Sequence, residues 1–426
     1  MAADSVVNMS GLEEKAVHDF ISLFSGAGGL DLGLEEAGWV CRYASDVDKA
    51  AVASLQANQG YTLRNGKRAF GDSFIERGDI RELRSQEVLG KAGMKRGDVA
   101  LLAGGPPCQA WSSAGHQLGF NDPRGELIRD YVRIASEIDA RWLLFENVRG
   151  LLTARGPDGL PGSALRLVRE SLLRAGFQTA VGLLNAADYG VAQRRVRLFM
   201  IGYRRGDEPG FPSPTHAKES SGYDPRPLPW VTLGEAVSRI DHLQPDEIIR
   251  PNESLAAQLQ PLRPGTGVKS PGKKESTRPG GHWGYKQGAF VADLQQSART
   301  VTASSQQDWI KDPIHGLRRL CPRECAAVQS FPPDWCFSGA FTSQYKQIGN
   351  AVPPLLAEAL GGELLRQLDG ERVAADWSAH SLSPLPKQLE SAIQYTIREE
   401  RANGASRKAV PPKRRLIAAS RATGVR

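Results

Sequence analysis

Through the first 205 residues, short apolar runs alternate with stretches in which apolar side chains return every three or four positions. Residues 20–24, 99–103, 142–145 and 197–202 form the runs and read as buried strands. Residues 30–37, 126–138 and 164–175 carry the spacing of amphipathic helices. Strand and helix in alternation predict an α/β domain with a mostly parallel, doubly wound sheet. Such sheets bind ligands beyond the carboxyl ends of their strands, so chemistry is sought first where a strand ends.

The pattern breaks after residue 205. Residues 206–288 are rich in Pro and Gly and poor in periodicity, punctuated early by Pro212, Pro214, Pro225, Pro227 and Pro229. Further on, Arg263, Lys269, Lys273, Lys274, Arg278 and Lys286 stand against one acid, Glu275, with Trp283 and Tyr285 interleaved. Such a loop suits nucleic acid, although a solvated surface loop can have the same composition. Helical pattern resumes at 322–331 and 355–368. The expected organisation is a catalytic and cofactor-binding domain over 1–205 and a smaller inserted domain over 206–324. A segment over 325–370 returns to the first domain, so that the sheet is built from both chain ends. A C-terminal extension over 371–426 shows fading signals and is expected to be disordered from about 401.

Composition narrows the class. A chain of 426 residues suits one large and one smaller domain. No apolar run approaches the roughly 20 residues of a membrane helix. The opening segment, with Asp4, Glu13 and Glu14, is no secretory signal, and a cytoplasmic, nucleoid-associated protein without membrane contact is expected. Five cysteines without a CxxC pair predict neither a disulfide framework nor a metal site. The net charge is +7, yet residues 401–426 hold eight Lys/Arg and no Asp/Glu, which leaves the body near neutral. The basic excess is a tail able to add nonspecific phosphate contact.

Four strand ends carry candidate chemistry. The first opens into Phe24-Ser25-Gly26-Ala27-Gly28-Gly29 ahead of a helix, a turn that lets backbone approach a ligand closely. Asp46, twenty residues beyond Gly26, is placed to accept from ribose hydroxyls, and Asp79 in Gly78-Asp79-Ile80 could take an adenine amino group. A tight structural turn is the competing account of the glycines. Gly104-Gly105-Pro106-Pro107-Cys108-Gln109 fixes a thiol at the mouth of the sheet, and residues 110–125 after it are long enough for a lid. Glu146-Asn147-Val148 sets a carboxyl at a strand end, a candidate proton donor with a raised pKa. Gln193-Arg194-Arg195-Val196-Arg197 opens a strand whose alternation puts Arg195 and Arg197 on one face, suited to a phosphate or a polar base edge, or to salt bridges.

These segments, together with 318–332 and Gln347-Ile348-Gly349-Asn350-Ala351-Val352-Pro353, resemble in content and order the cytosine-5 DNA methyltransferase family in its compact bacterial, restriction-modification form. The resemblance covers roughly residues 18–365, interrupted by a variable region at 206–297. It implies a Rossmann-like methyltransferase fold with an inserted target-recognition domain, and S-adenosylmethionine as cofactor. In such a site Phe24 stacks on the adenine, and Gly26, Gly28 and Gly29 line the methionine part. Asp46 and Val47 meet ribose and adenine, Asp79 and Ile80 hold the adenine edge, and Pro106, Asn350 and Val352 complete the pocket. Asp46 departs from the family's usual Glu, and Cys321 stands where a helix-capping Thr is common. Cys108 is the nucleophile that adds to carbon 6 of a flipped-out cytosine, Glu146 acts at N3, Arg197 is a further contact to the base, and Arg195 joins them as a catalytic residue. Gln109, Ser112, Arg263, Lys269, Lys273, Lys274 and Arg278 are expected on DNA, with sequence reading in 206–297.

Three other functions are compatible with parts of this pattern. The same chemistry on transfer RNA is the alternative, but a long variable region fits a groove-reading module for double-stranded DNA. A binding protein with a dead site conflicts with the full set of chemical residues. A nicotinamide oxidoreductase needs a GxGxxG turn that is missing. A monomer is expected, with a cognate restriction endonuclease as a candidate partner.

Overall fold

The computed structural model describes residues 18–107, 123–204, 206–219, 226–269, 288–370 and 381–402. The strands β1 (Asp19–Leu23), β2 (Val40–Asp46), β3 (Phe74–Arg77), β4 (Leu101–Gly104), β5 (Trp142–Val148), β6 (Gln178–Asn185) and β7 (Val196–Tyr203) form one sheet in the order β3-β2-β1-β4-β5-β7-β6. The helices between them are α1 (Gly29–Ala37), α2 (Lys49–Ala57), α3 (Ser85–Ala92), α4 (Pro123–Glu137) and α5 (Ser163–Arg174).

Alternation along the strands divides the core in two. Phe20, Leu101, Ala103, Trp142 and Leu144 enter one apolar layer, while Ile21, Leu23, Leu102, Leu143 and Phe145 enter the layer on the other face. β2, β3 and β6 lie outside the four expected strands. β3 is a four-residue edge strand with little burial, too short to show a pattern. β7 runs antiparallel to both its neighbours, because only a 3-10 turn (Ala186–Tyr189) and a few residues separate it from β6. No crossover helix fits in that space, and a parallel pairing would need one.

All seven strands come from residues 19–203, so the expectation that both chain ends build the sheet is corrected. The returning segment adds helices instead. After the short α6 (Leu233–Val237) and α7 (Glu253–Leu259) come α8 (Pro322–Val328), α9 (Phe341–Asn350) and α10 (Pro354–Gly370). α10 lies along α1, where a β-carbon on Gly33 would sit 2.3 Å from the Pro354 carbonyl oxygen. Glycine is required by that close approach. The extension is not featureless either: α11 (Lys387–Ala402) packs on the catalytic body.

The described residues of 206–324 hold more regular structure than their composition suggests. The two-residue strands β8 (His216–Ala217) and β9 (Leu228–Pro229) pair with each other. A second sheet, β10 (Thr266–Gly267), β11 (Phe290–Val291), β12 (Trp309–Asp312) and β13 (Gly316–Arg319), has its own small core of Leu259, Leu262, Val291 and Trp309. Two helices there start on side-chain caps that the sequence reading does not pick out. Thr232 and Glu235 form a capping box, and the Asn252 side chain accepts from Leu255 N. At the start of α8, Glu324 accepts from the backbone of Cys321 at 3.0 Å. No helix among the described residues is long and apolar enough to cross a membrane.

Candidate active site

The glycine turn is built as the sequence suggests, but its glycines do different work. Phe24, Gly26 and Gly28 all have positive φ, near 58°, 57° and 81°. Only at Gly26 would a β-carbon meet nothing within 4 Å. A β-carbon on Gly28 would strike Leu55 at 2.8 Å, and one on Gly29 would lie 2.3 Å from the Val352 carbonyl oxygen. Gly28 and Gly29 therefore let the turn close against protein, and Gly26 alone opens to free space. The Trp335 indole fastens this turn by donating to the Ala27 carbonyl at 3.1 Å. No motif pointed to Trp335.

Asp46 stands at the end of β2 beside that opening. Its carboxylate accepts from Gly26 N at 2.9 Å and from Asp48 N at 2.8 Å. Each oxygen keeps a further lone pair, so ribose hydroxyls can still be received. Burial raises its pKa, against the lowering effect of those two backbone donors. The next residue, Val47, is 53% exposed, an apolar side chain left uncovered next to the opening. Phe24 is half-buried, with its ring 6.5 Å from that of Tyr131. This half-open, partly apolar cradle fits an adenosine bearing a sulfonium side chain.

The other expected cofactor residues vary. Asp79 is engaged by Arg81, whose Nε donates to it at 2.9 Å and holds its pKa down. Ile80 is buried in the core, and its carbonyl accepts from Arg133 at 2.9 Å. Asn350 is exposed at the end of α9, whereas Val352 is buried and presents its carbonyl to Gly29.

The second constellation lies at the ends of β4 and β5. Glu146 and Asn147 are within β5, where strand pairing fixes both. The Asn147 amide donates to the Pro106 carbonyl at 3.1 Å, tying the Pro-Pro-Cys loop to the strand that carries Glu146. A β-carbon on Gly105 would lie 2.9 Å from Oε2 of Glu146, so glycine lets loop and carboxyl meet. Glu146 is 9% exposed, and burial raises its pKa; Arg197 and Arg195 oppose the shift. The Arg197 Nε lies 3.2 Å from Glu146 Oε1. A carboxyl held protonatable by burial and aimed by one arginine can serve as proton donor.

Arg195 departs from its expected role. It is 1% exposed and donates to the carbonyls of Val301 at 3.0 Å, Gly349 at 2.9 Å and Ala351 at 2.9 Å. Those bonds engage both terminal nitrogens, so Arg195 clamps the returning chain onto the sheet, while its buried Nε has no partner among the described residues. Gln193 joins the same seam, with Oε1 accepting from Val301 N at 3.0 Å. Arg263 and Lys269 are exposed beside the second sheet. Cys108, Gln109, Ser112, Lys273, Lys274, Arg278 and residues 403–426 of the basic tail lie outside the described residues.

The chain is similar to known proteins over most of its length. A family model described as C-5 cytosine-specific DNA methylase matches residues 18–366. The Type II methyltransferase M.FnuDI of Fusobacterium nucleatum is 31% identical over 372 residues, covering 83% of this chain and 96% of that protein. M.MthTI of Methanothermobacter thermautotrophicus is 32% identical over 361 residues, covering 83% and 98%. Among solved structures, the S. pombe Dnmt2 methyltransferase aligns with a TM-score of 0.56 at 15% identity, covering 83% of this chain and 99% of that one, a likeness of fold. A buried carboxyl tied to the loop after β4, and a glycine turn bonded to Asp46, thus occur in a chain that belongs to the C-5 cytosine-specific DNA methylase family.

Proposed function

We propose that the chain methylates carbon 5 of cytosine within a specific sequence of double-stranded DNA, with Cys108 as covalent nucleophile. The observation that carries this is the Asn147 bond to Pro106, because it ties the loop bearing Cys108 to the strand bearing Glu146. Carbon 5 of cytosine is a weak nucleophile and lies inside the stack, so the base is flipped out at a cost of a few kcal/mol. The Cys108 thiolate forms a bond to carbon 6 while Glu146 gives N3 a proton. This leaves carbon 5 enamine-like and able to accept an electrophilic methyl group. S-adenosylmethionine, held by Phe24, Gly26, Asp46 and Val47, supplies that methyl when bound. A base such as water then takes the proton from carbon 5, the bond from sulfur to carbon 6 breaks to release the Cys108 thiolate, and N3 returns its proton to Glu146.

The exposed Arg263 and Lys269 beside a separate small sheet support target reading by residues 206–297. The relatives named Type II methyltransferases support a cognate restriction endonuclease as partner. Bisulfite sequencing of DNA and transfer RNA from cells expressing the protein tests the reading. One methylated DNA motif is expected, and it should vanish in Cys108→Ser, whose hydroxyl has too high a pKa to replace a thiolate. Methylation confined to transfer RNA, or retained by the serine variant, would overturn it.

A further inference from the structure

α1 buries two acids one turn apart, and the fold serves them differently. The Glu35 carboxylate accepts from Phe70 N at 3.0 Å and from Cys41 N at 3.4 Å. Asp31 is fully buried, and neither of its oxygens has a hydrogen-bond partner among the described residues. An ionised carboxyl in such a place is costly, and taking up a proton is the usual escape. Burial accordingly raises the Asp31 pKa from 3.8 to about 7.

The surroundings of Asp31 belong to the glycine turn. It lies in the first turn of α1, two residues past Gly29. The Ser22 hydroxyl on β1 acts on it, and the same hydroxyl accepts from Ser25 Oγ at 2.8 Å. Ser25 stands between Phe24 and Gly26 in the turn itself. From β2, Asp46 acts on Asp31 and raises its pKa further, and Asp46 accepts from Gly26 N at 2.9 Å. The other titratable neighbours are Glu35 on the same helix and the Cys41 thiol on β2, and Asp31 raises the pKa of both. Beyond Asp46 stand Asp48 and Lys346, which pair with each other at 2.7 Å. No Lys or Arg is among the groups that act on Asp31. The cradle is thus flanked by two carboxyls of like sign, one of them with neither a hydrogen bond nor a cation.

That arrangement suits one kind of ligand charge. A sulfonium is a fixed cation with no proton on its sulfur, so its complement needs negative charge and no hydrogen-bond geometry. Charge acts across several ångströms where water is excluded. We infer that Asp31 is the counter-charge by which the site prefers S-adenosylmethionine, a sulfonium cation, to S-adenosylhomocysteine, the neutral thioether left after methyl transfer. Binding of the cation stabilises the carboxylate, and the Asp31 proton leaves to solvent. Loss of the methyl group removes the sulfonium charge, leaves the buried carboxylate uncompensated and favours departure of the thioether. The inference rests on the cofactor assignment above and on no detail of the base chemistry.

Calorimetric titration of the full chain with each ligand, in two buffers of different ionisation enthalpy, counts the protons released. From about pH 5.5 to 7 the amino group of either ligand stays protonated and adds no change of its own. The parent is expected to release about one proton per S-adenosylmethionine near pH 6, and none per S-adenosylhomocysteine. Its affinity for the cation should rise about tenfold across that range, while its affinity for the thioether stays level. Asp31→Asn cannot ionise. It should release no proton and bind the cation about tenfold more weakly at pH 7, yet bind the thioether as the parent does, which also shows a folded site. Equal pH dependence for the two ligands would overturn the inference. So would proton release that Asp31→Asn keeps and Glu35→Gln loses, since the proton would then be that of Glu35. A parent that binds neither ligand would remove the cofactor assignment, and the inference with it.

Discussion

The Nε of Arg197 lies 3.2 Å from Oε1 of Glu146, across paired antiparallel strands whose register sets Arg197 opposite Val148, two residues beyond Glu146. The pair sets both the direction of the carboxyl and its proton affinity. Burial raises the Glu146 pKa, and the guanidinium restrains the rise. Only the acid form can give a proton to N3, so the rate should fall as pH rises through that pKa. Arg197→Ala removes a lowering influence and should move this limb to higher pH, with a lower plateau. Glu146→Gln should lose the limb and about a hundredfold in rate. Single-turnover pH profiles decide it; a limb that stays in place in Arg197→Ala would assign the titration to another group.

Asp46 and Asp79 should respond differently to truncation. The Asp46 carboxylate organises Gly26 and Asp48 and keeps acceptor capacity toward the opening. Asp46→Ala should weaken S-adenosylmethionine binding by about tenfold or more, the scale of 1.5–3 kcal/mol for a hydrogen bond to a charged group. Asp79 already spends its carboxylate on the exposed Arg81, and Asp79→Ala should cost under about 1 kcal/mol. Calorimetric titration with the cofactor measures both, and equal losses would show that Arg81 releases Asp79 on binding.

Alanine at two glycines should separate stability from binding. Gly29→Ala drives a β-carbon into the Val352 carbonyl and the Phe331 ring, and overpacking of this kind costs about 1–3 kcal/mol. Its melting temperature should drop clearly. Gly26→Ala meets no atom but carries a φ of +57°, a strain of roughly 1–2 kcal/mol. It also projects into the space beside Asp46, so its cofactor affinity should fall further than its stability alone explains. Cofactor affinity as good as the parent's would mean the opening at Gly26 is not the cofactor's.

Asp31 on α1 is fully buried, and neither carboxylate oxygen has a hydrogen-bond partner among the described residues. Burial is the main cause that pushes its pKa up from 3.8 to about 7, and the nearby Asp46 adds to it. A raised carboxyl pKa means that the folded protein holds the proton more tightly than the unfolded chain. Its stabilising contribution is full below about pH 4, declines by up to about 1.4 kcal/mol per pH unit, and is lost above about pH 7. Asp31→Asn cannot ionise, so its melting temperature relative to the parent's should climb from pH 5 to pH 7 and then level. A constant difference across that range would show that Asp31 does not titrate there.

What the sequence determined by itself was local. Strand ends, the glycine turn and the Pro-Pro-Cys and Glu-Asn-Val segments are short patterns whose meaning depends on neighbours in the chain. The α/β class and the order of the motifs were legible for that reason. What only the tertiary structure decided was which distant group each side chain would meet. Arg195 and Arg197 share a strand face in the sequence pattern, yet Arg195 spends its donors on carbonyls at 301, 349 and 351, more than a hundred residues away. Gly26 and Gly29 are equal members of one motif until Phe331 and the turn ahead of α10 close over Gly29. The direction of β7 follows from a short connection, and the course of α11 from apolar contacts with Gly162 and the core beneath it. A periodicity fixes which way a side chain points from its own backbone; what waits there is set by packing between segments remote in the chain.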